Sequence, residues 1–397
     1  MIDSQYLNKY AEAEVTLLKD VPSFSAESVC VVPCYQESDA FIHRYRQTFS
    51  GHLSLLIVVL NQPSSQQDTE PQMALQESLL SCGKLRWQYR HLSLLHLDGL
   101  HVLLVDRFST EQLRIPEKKG VGLARKIGAD CASYLIAKGC ITQPWIYSTD
   151  ADAHLPCNYF DITPVMQTAV AVTFDFAHQT GNGDLVAKAT KLYEQRLHYY
   201  VDGLRQAGSG YAFHTIGSCL AIHATAYQKV RGFPQKAAGE DFYLLNKLAK
   251  LGPIASHPAC IALDARISHR VPFGTGPAVA EIVSLLENQQ EYCVYHPQSF
   301  VCLQQLLIHL NKVPELATSV NQWCSQLPKI AVSYLEESGF FTALSKWQRQ
   351  KISCKQLQHQ VNGWMDAFRT LKFIHYCRDS GLEDLPLADA LTLRNKK

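Results

Sequence analysis

Four apolar runs, each closed by a polar or turn residue, limit what this chain can fold into. "SVCVVPCY" (28–35) is a β-branched run closed by a proline. "LSLLIVVLN" (53–61) ends at Asn61, "LHVLLVDRF" (100–108) carries Asp106, and "WIYSTD" ends at Asp150. Continuous apolar runs of this length read as strands buried on both faces. Helical spacing separates them. "DAFIHRYRQTF" places Phe41, Ile42, Tyr45 and Phe49 on one stripe behind an Asp39 cap, a helix is expected near 73–81, and "VGLARKIGADCASYLIAKG" (121–139) is a helix with a glycine stop. Strands alternating with helices imply β-α-β units in an open sheet, where a ligand sits beyond the carboxyl ends of the strands. Asn61, Asp106 and Asp150 all fall at such ends.

The second half reads differently. Residues 185–208 form one long helical pattern, 217–234 a strand, helix and stop, and 239–252 a loop entering a helix. From about 277 onward nearly every segment is helical, Val279, Ile282, Val283 and Leu286 setting the period. "FGTGPA" (273–278) interrupts the pattern, so residues 1–276 are expected to form one domain and 277–397 a helical accessory domain. The 397 residues exceed what one compact core holds. A formal net charge of +1 argues against a broad nucleic-acid surface, so no nucleic-acid partner is expected. The apolar runs are shorter than the roughly 20 residues of a membrane helix, so no transmembrane segment is expected. Thirteen scattered cysteines without paired C-x-x-C knuckles, behind a polar N-terminus, point to reduced thiols in a cytoplasmic protein.

The candidate chemistry lies at the strand ends. In "WIYSTDADAHLP", Asp150 and Asp152 are either a capped turn or, where the strand has ended and the backbone turns, a pair converging on one divalent cation. The cation reading is favoured, with Mg²⁺ or Mn²⁺ as the ion because both prefer carboxylate oxygens and substrate phosphates. "GEDFYLL" places Glu240 and Asp241 where a helix opens, either as acids favoured by its dipole or as a general base facing an acceptor hydroxyl. "EKKGVGLARKIGAD" gathers Lys118, Lys119, Arg125 and Lys126 without the spacing of a nucleoside-triphosphatase P-loop. These cations either hold a phosphate at a helix start or are solvated charge, and Arg125 stands out inside a small-residue helix. His269 is either one more of the 16 histidines or a third metal ligand.

Taken in order, these segments resemble the family 2 glycosyltransferases, which have the nucleotide-diphospho-sugar GT-A fold. "VVPCYQES" resembles that family's opening strand and turn, with Pro33, Tyr35 and Glu37 in place and Gln36 where Asn is usual. "GVGLARKIGADCA" resembles its Gly-x-x-x-Ala-Arg-Asn-x-Gly helix, with Lys126 for Asn, and "YSTDADAHLP" its Asp-x-Asp element. "GSCLAIHATAYQKVRGFPQKAAGEDFYLLNKLAKLG" is the most specific match, with Gly-Phe-Pro and Gly-Glu-Asp in family order. The resemblance covers roughly residues 28 to 275. It departs at "VVLNQPSS", where the family usually has Asp-(Asn/Asp)-x-Ser, and Asn61 stands as a substitute hydrogen-bonding group. The Gln-x-x-Arg-Trp motif and membrane helices of the processive synthases are missing.

The resemblance implies an α/β fold: a GT-A-like mixed sheet flanked by helices, followed by a C-terminal helical domain. It implies a metal-dependent transfer of a sugar from a nucleotide-diphosphate donor to an acceptor hydroxyl on a saccharide, lipid or small molecule. Pro33, Tyr35, Glu37, Asn61, Lys119, Arg125 and Asp150 would then border the donor. Asp150, Asp152 and His269 would hold Mn²⁺ or Mg²⁺, Asp152 being the more direct ligand. Asp241 would take the acceptor proton with inversion at the anomeric carbon, and Glu240 would orient the acceptor or Asp241. The rival readings are a retaining synthase of the same fold, a sugar-nucleotide-binding protein without turnover, and a nucleotidyltransferase. A Gly-rich, Lys/Arg-bearing loop after the first strand, which the last would need, is absent.

Overall fold

A computed structural model describes residues 4–162, 168–179, 183–265, 274–313 and 320–395. The chain divides into two compact units, Met1–Thr190 with Thr215–Ala280, and Lys191–His214 with Glu281–Lys397.

The first unit is built on a ten-stranded mixed sheet. Its strands are β1 (Ser28–Cys34), β2 (Ser54–Asn61), β3 (Lys84–Tyr89), β4 (Leu92–Leu97), β5 (Leu100–Arg107), β6 (Trp145–Ser148), β7 (Ala153–His154), β8 (Ala171–Gln179), β9 (Leu220–His223) and β10 (Ile254–Asp264), in the order β3-β4-β5-β2-β1-β6-β9-β8-β10-β7. The four strands legible as apolar runs form the parallel centre β5-β2-β1-β6. β1 and β2 are buried at every position, as a strand covered on both faces must be. Pro33 lies inside β1, one residue before its end and in register with Val59, so the strand runs one residue past the expected stop.

Antiparallel strands extend this centre on both sides. The β3–β4 hairpin was not legible as a strand pair. β3 is exposed at nearly every position and a register shift between Leu85 and Trp87 breaks its alternation. β10 is masked in the same way, because Pro258 falls inside a register shift between His257 and Cys260.

Helices α1 (Ser4–Lys9), α2 (Glu14–Leu17), α3 (Ala40–Thr48), α4 (Glu70–Cys82) and α5 (Gly120–Ala137) belong to this unit, as do α7 (Ala224–Lys229) and α8 (Glu240–Leu248), while α6 (Leu185–Gln206) and α9 (Thr275–Glu287) run from one unit into the other. Asp39 precedes α3 but does not cap it; its carboxylate accepts the Ser78 hydroxyl at 2.5 Å. α5 packs directly on β1, where Gly128 has no Cβ because one would lie 2.3 Å from Val31 Cγ1.

The second unit holds α10 (Pro297–Asn311), α11 (Val320–Cys324), α12 (Lys329–Glu337), α13 (Phe340–Arg349), α14 (Cys354–Trp364), α15 (Ala367–Asp379) and α16 (Leu387–Asn395), with a small ribbon of β11 (Cys293–Val294) and β12 (Leu385–Pro386). Its core is apolar and aromatic, around Leu303, Leu306, Leu335, Phe340 and Phe373. Among the described residues no helix is long and apolar enough to cross a membrane, and the thirteen cysteines are free thiols.

Candidate functional site

β2, β1 and β6 are neighbouring parallel strands, so Asn61, Cys34 and Ser148 end on one edge of the sheet, with about 10 Å across the three strands. β6 passes straight into Thr149 and Asp150. The backbone of this turn is held from three sides. Thr149 N–H donates to the Val31 carbonyl at 3.0 Å, the Tyr45 hydroxyl to the Asp150 carbonyl at 2.6 Å, and Arg44 Nη2 to the Ala151 carbonyl at 2.7 Å. Farther on, Asp264 N–H donates to the Asp152 carbonyl at 3.2 Å.

Arg125 organises the side chains. It lies on α5, only 3% exposed. Its Nε donates to Glu240 Oε1 at 2.8 Å, its Nη2 to Asp150 Oδ1 at 2.7 Å, and its Nη1 to Ser148 Oγ at 3.0 Å. Ser148 Oγ in turn donates to the Gly217 carbonyl at 2.9 Å. Gly217 leaves room for the guanidinium, since a Cβ there would stand 2.8 Å from Arg125 Nη2 and press on it. Burial alone would lower the pKa of Arg125, but Asp150 and Glu240 beside it raise it above the ordinary guanidinium value. One fixed cation thus ties the end of β6 to the start of α8.

Gly239, in the left-handed region at φ 71°, turns the chain into α8, whose first two residues are the buried Glu240 and the half-buried Asp241. Asp241 Oδ1 accepts the Phe242 N–H at 2.6 Å. Burial first, and the Glu240 carboxylate second, push the Asp241 pKa from 3.8 up to about 7, against the pull of Phe242 N–H and Arg125. A carboxyl poised there suits proton abstraction at neutral pH. Gly120 and Gly122 bring the loop before α8 against the first turn of α5. A Cβ on Gly122 would lie 2.5 Å from the Pro234 carbonyl, and its N–H donates to the Lys236 carbonyl at 3.0 Å.

The remaining residues singled out from the sequence divide into four groups. Pro33, Tyr35, Glu37 and Asn61 stand at or just past the ends of β1 and β2; Asn61 is buried, and its Oδ1 has no partner among the described residues. Lys119 is half-buried at the start of α5 without a side-chain partner among the described residues, and Lys118 is exposed. His269 lies outside the described residues. Lys126 is a correction. It is neither a phosphate ligand nor solvated charge but a buried cation, bonded to Asp130 at 2.6 Å, the Tyr10 carbonyl at 2.9 Å and Tyr6 at 3.2 Å. A helix turns about 100° per residue, so adjacent Arg125 and Lys126 serve different neighbourhoods.

Sequence reasoning missed Arg44, Tyr45, Ser148 and Gly217. Tyr45 had only the signal of an apolar helical position, Ser148 and Gly217 lay inside quoted motifs without being singled out, and Arg44 had no signal.

Among the described residues no group of three or more His, Cys, Asp or Glu side chains is placed to hold a metal. Asp150 gives one carboxylate oxygen to Arg125, and its side chain remains about one-third exposed (34%). Two carboxylates do not fit a resident metal cage. Mg²⁺ or Mn²⁺ held there would need phosphate oxygens and water as its other ligands.

No protein-family model matches the chain, and no curated protein matches it. A solved structure that it resembles is the mannosyltransferase PcManGT from Pyrobaculum calidifontis in complex with GDP-Man and Mn²⁺. The two are 14% identical, the match covers 92% of this chain and 94% of that chain, and the TM-score is 0.39. A likeness of that size carries no argument about this chain.

Proposed function

We propose that the first unit is a family 2-type, GT-A-like glycosyltransferase that moves a sugar from a nucleotide-diphosphate donor to an acceptor hydroxyl. The observation that carries the reading is the Arg125 bridge. It holds the Asp-x-Asp turn and the Gly-Glu-Asp helix start, which are 90 residues apart in sequence, in one charged cluster at the carboxyl end of the sheet. Those are two of the four ordered motifs that together carry the family resemblance.

In this mechanism Asp150, through the oxygen not engaged by Arg125, and Asp152 would hold Mn²⁺ or Mg²⁺. When bound, such an ion would supply charge neutralisation for the departing nucleoside diphosphate. Lys119, whose ammonium at the start of α5 has no partner among the described residues, adds electrostatic help at the same phosphates. Asp241 takes the acceptor proton while the hydroxyl oxygen attacks the anomeric carbon from the face opposite the leaving group, which inverts the centre. Glu240 is pinned by Arg125 and positions Asp241, while its charge keeps Asp241 basic enough to act. Arg125 thereby becomes a positioning residue, its donors being engaged with protein. Asn61 offers an acceptor to the nucleoside. His269 is kept as a candidate further ligand. The second unit is assigned to the accessory role.

The test is calorimetry of nucleoside diphosphates with and without Mn²⁺, on the wild type and on Asp152→Ala. Binding to one nucleotide that needs Mn²⁺ and is lost in the variant is the expected result. Absence of binding both with and without Mn²⁺ would sink the donor site.

A further inference from the structure

The exposed edge of the sheet carries a feature that sugar transfer does not use. β3 is the terminal strand, and with the residue after it reads "KLRWQYR" (84–90). Lys84, Arg86 and Arg90 are exposed, and from Ser78 to Leu97 the chain has no Asp or Glu. Leu85 is 48% and Tyr89 46% exposed, among the largest values for apolar side chains in the molecule. The register places Lys84, Trp87 and Tyr89 on one face of the strand, opposite His96, Leu94 and Leu92, and Leu85 on the other, opposite Leu95. Trp87 and Tyr89 stand with ring centroids 6.4 Å apart, and the Arg90 guanidinium lies 5.8 Å from the Tyr89 ring.

Charge on an edge strand has an ordinary purpose, which is to deter pairing with another sheet. That purpose does not explain this edge. The register shift at Arg86 already spoils it as a template, and deterrence calls for polar side chains, not an exposed leucine and two aromatic rings. Cations beside Trp and Tyr are the composition of a membrane–water interface. Leu85 decides between polyanions, because an aliphatic side chain gains nothing from a nucleic acid or an acidic saccharide but does gain from the boundary of head groups and acyl chains. With a net charge of +1, the protein as a whole offers an anionic surface almost no attraction, so any attraction must be local.

We propose that the β3 edge docks on an anionic lipid surface, with Lys84, Arg86 and Arg90 at the head groups and Leu85, Trp87 and Tyr89 flanking the strand at the same depth. β6 is five strands away along the sheet, so the candidate site would stand about 24 Å from the docked edge.

Co-sedimentation of the full chain with vesicles tests this, using phosphatidylcholine alone and phosphatidylcholine mixed with phosphatidylglycerol, at low and high salt. The wild type should pellet with the mixed vesicles at low salt only. Each basic residue near the surface contributes about fivefold, so Lys84→Gln/Arg86→Gln/Arg90→Gln should weaken partitioning about 100-fold. Trp87→Ala/Tyr89→Ala should weaken it at unchanged charge. A charge-matched control, Lys346→Gln/Arg349→Gln/Lys355→Gln on the exposed surface of α13 and α14, should pellet like the wild type. Melting curves check that each variant is folded. Failure of the wild type to pellet, equal pelleting by the wild type and the edge variants, or equal loss in the control would overturn the proposal. So would retention on a single-stranded oligonucleotide without vesicle binding. Vesicle binding needs no sugar nucleotide, so its failure would leave the proposed transferase reading standing.

Discussion

Arg125 and Lys126 are adjacent on one helix, both are buried, and each anchors a carboxylate network, yet the networks differ in kind. Around Lys126 everything is spent. Asp130, with no exposed surface, accepts from Lys126 at 2.6 Å, Tyr6 at 2.5 Å, Tyr227 at 2.8 Å and the Glu12 N–H at 2.8 Å. Around Arg125 the carboxylates outnumber the cation, Asp150 is partly open, and Asp241 is held near neutrality with Glu240 beside it. A saturated network braces the fold, whereas an unsaturated one keeps capacity for a ligand and a proton.

The comparison breaks most sharply at Asp241. Asp241→Asn should lower transfer by about 10²- to 10⁴-fold with little loss of stability, read as nucleoside diphosphate release beside a melting curve. The same carboxyl gives a pH signature. The folded chain keeps this proton up to about pH 7, while the unfolded chain loses it near 3.8, so the group's contribution to stability is full below 3.8 and is lost as pH rises through 7. Turnover should climb over the step that costs stability. Denaturant titrations at pH 5 and 8 should show that stability difference shrinking in Asp241→Asn.

Asp130→Ala is the converse. Leaving the buried Lys126 with only the partly exposed Glu12, at 3.5 Å, as counter-ion should cost about 3 kcal/mol by chemical denaturation, with activity per folded molecule unchanged. A variant of normal stability would show the network to be dispensable. Arg125→Lys sits between the two, because one ammonium cannot serve Glu240, Ser148 and Asp150 together. It should cost about 1–3 kcal/mol and also reduce nucleotide binding. Equal activity to the wild type would remove Arg125 from the site. The smallest effect belongs to an ordinary surface pair, Arg46 and Asp98 at 2.6 Å, where Asp98 is 87% exposed. Asp98→Asn should change stability by no more than about 1 kcal/mol, and less in high salt.

How much of this was legible follows from where the partners lie. The parallel centre could be read because its strands are buried end to end and need no partner to be recognised. The hairpin and β10 could not, since an exposed edge and a proline at a register shift erase the period-two signal. Arg125 stood out as a charge among small residues, but its role depended on Asp150 and Glu240, 25 and 115 residues away. Lys126 was misread although Asp130 lies four residues on, the spacing of a helical ion pair. What the spacing could not supply was Tyr6 and Tyr227, which close the network from both ends of the unit.

The Tyr6–Asp130 bond has a consequence in time. Its partners are 124 residues apart, so at about 5–20 residues per second the first helix waits roughly 6–25 s after leaving the ribosome for its carboxylate. Tyr227 emerges later still. Throughout that interval the Tyr6 segment is unclaimed on a growing chain, open to chaperones and proteases, and the brace behind α5 closes only when synthesis has passed the β9–α7 junction.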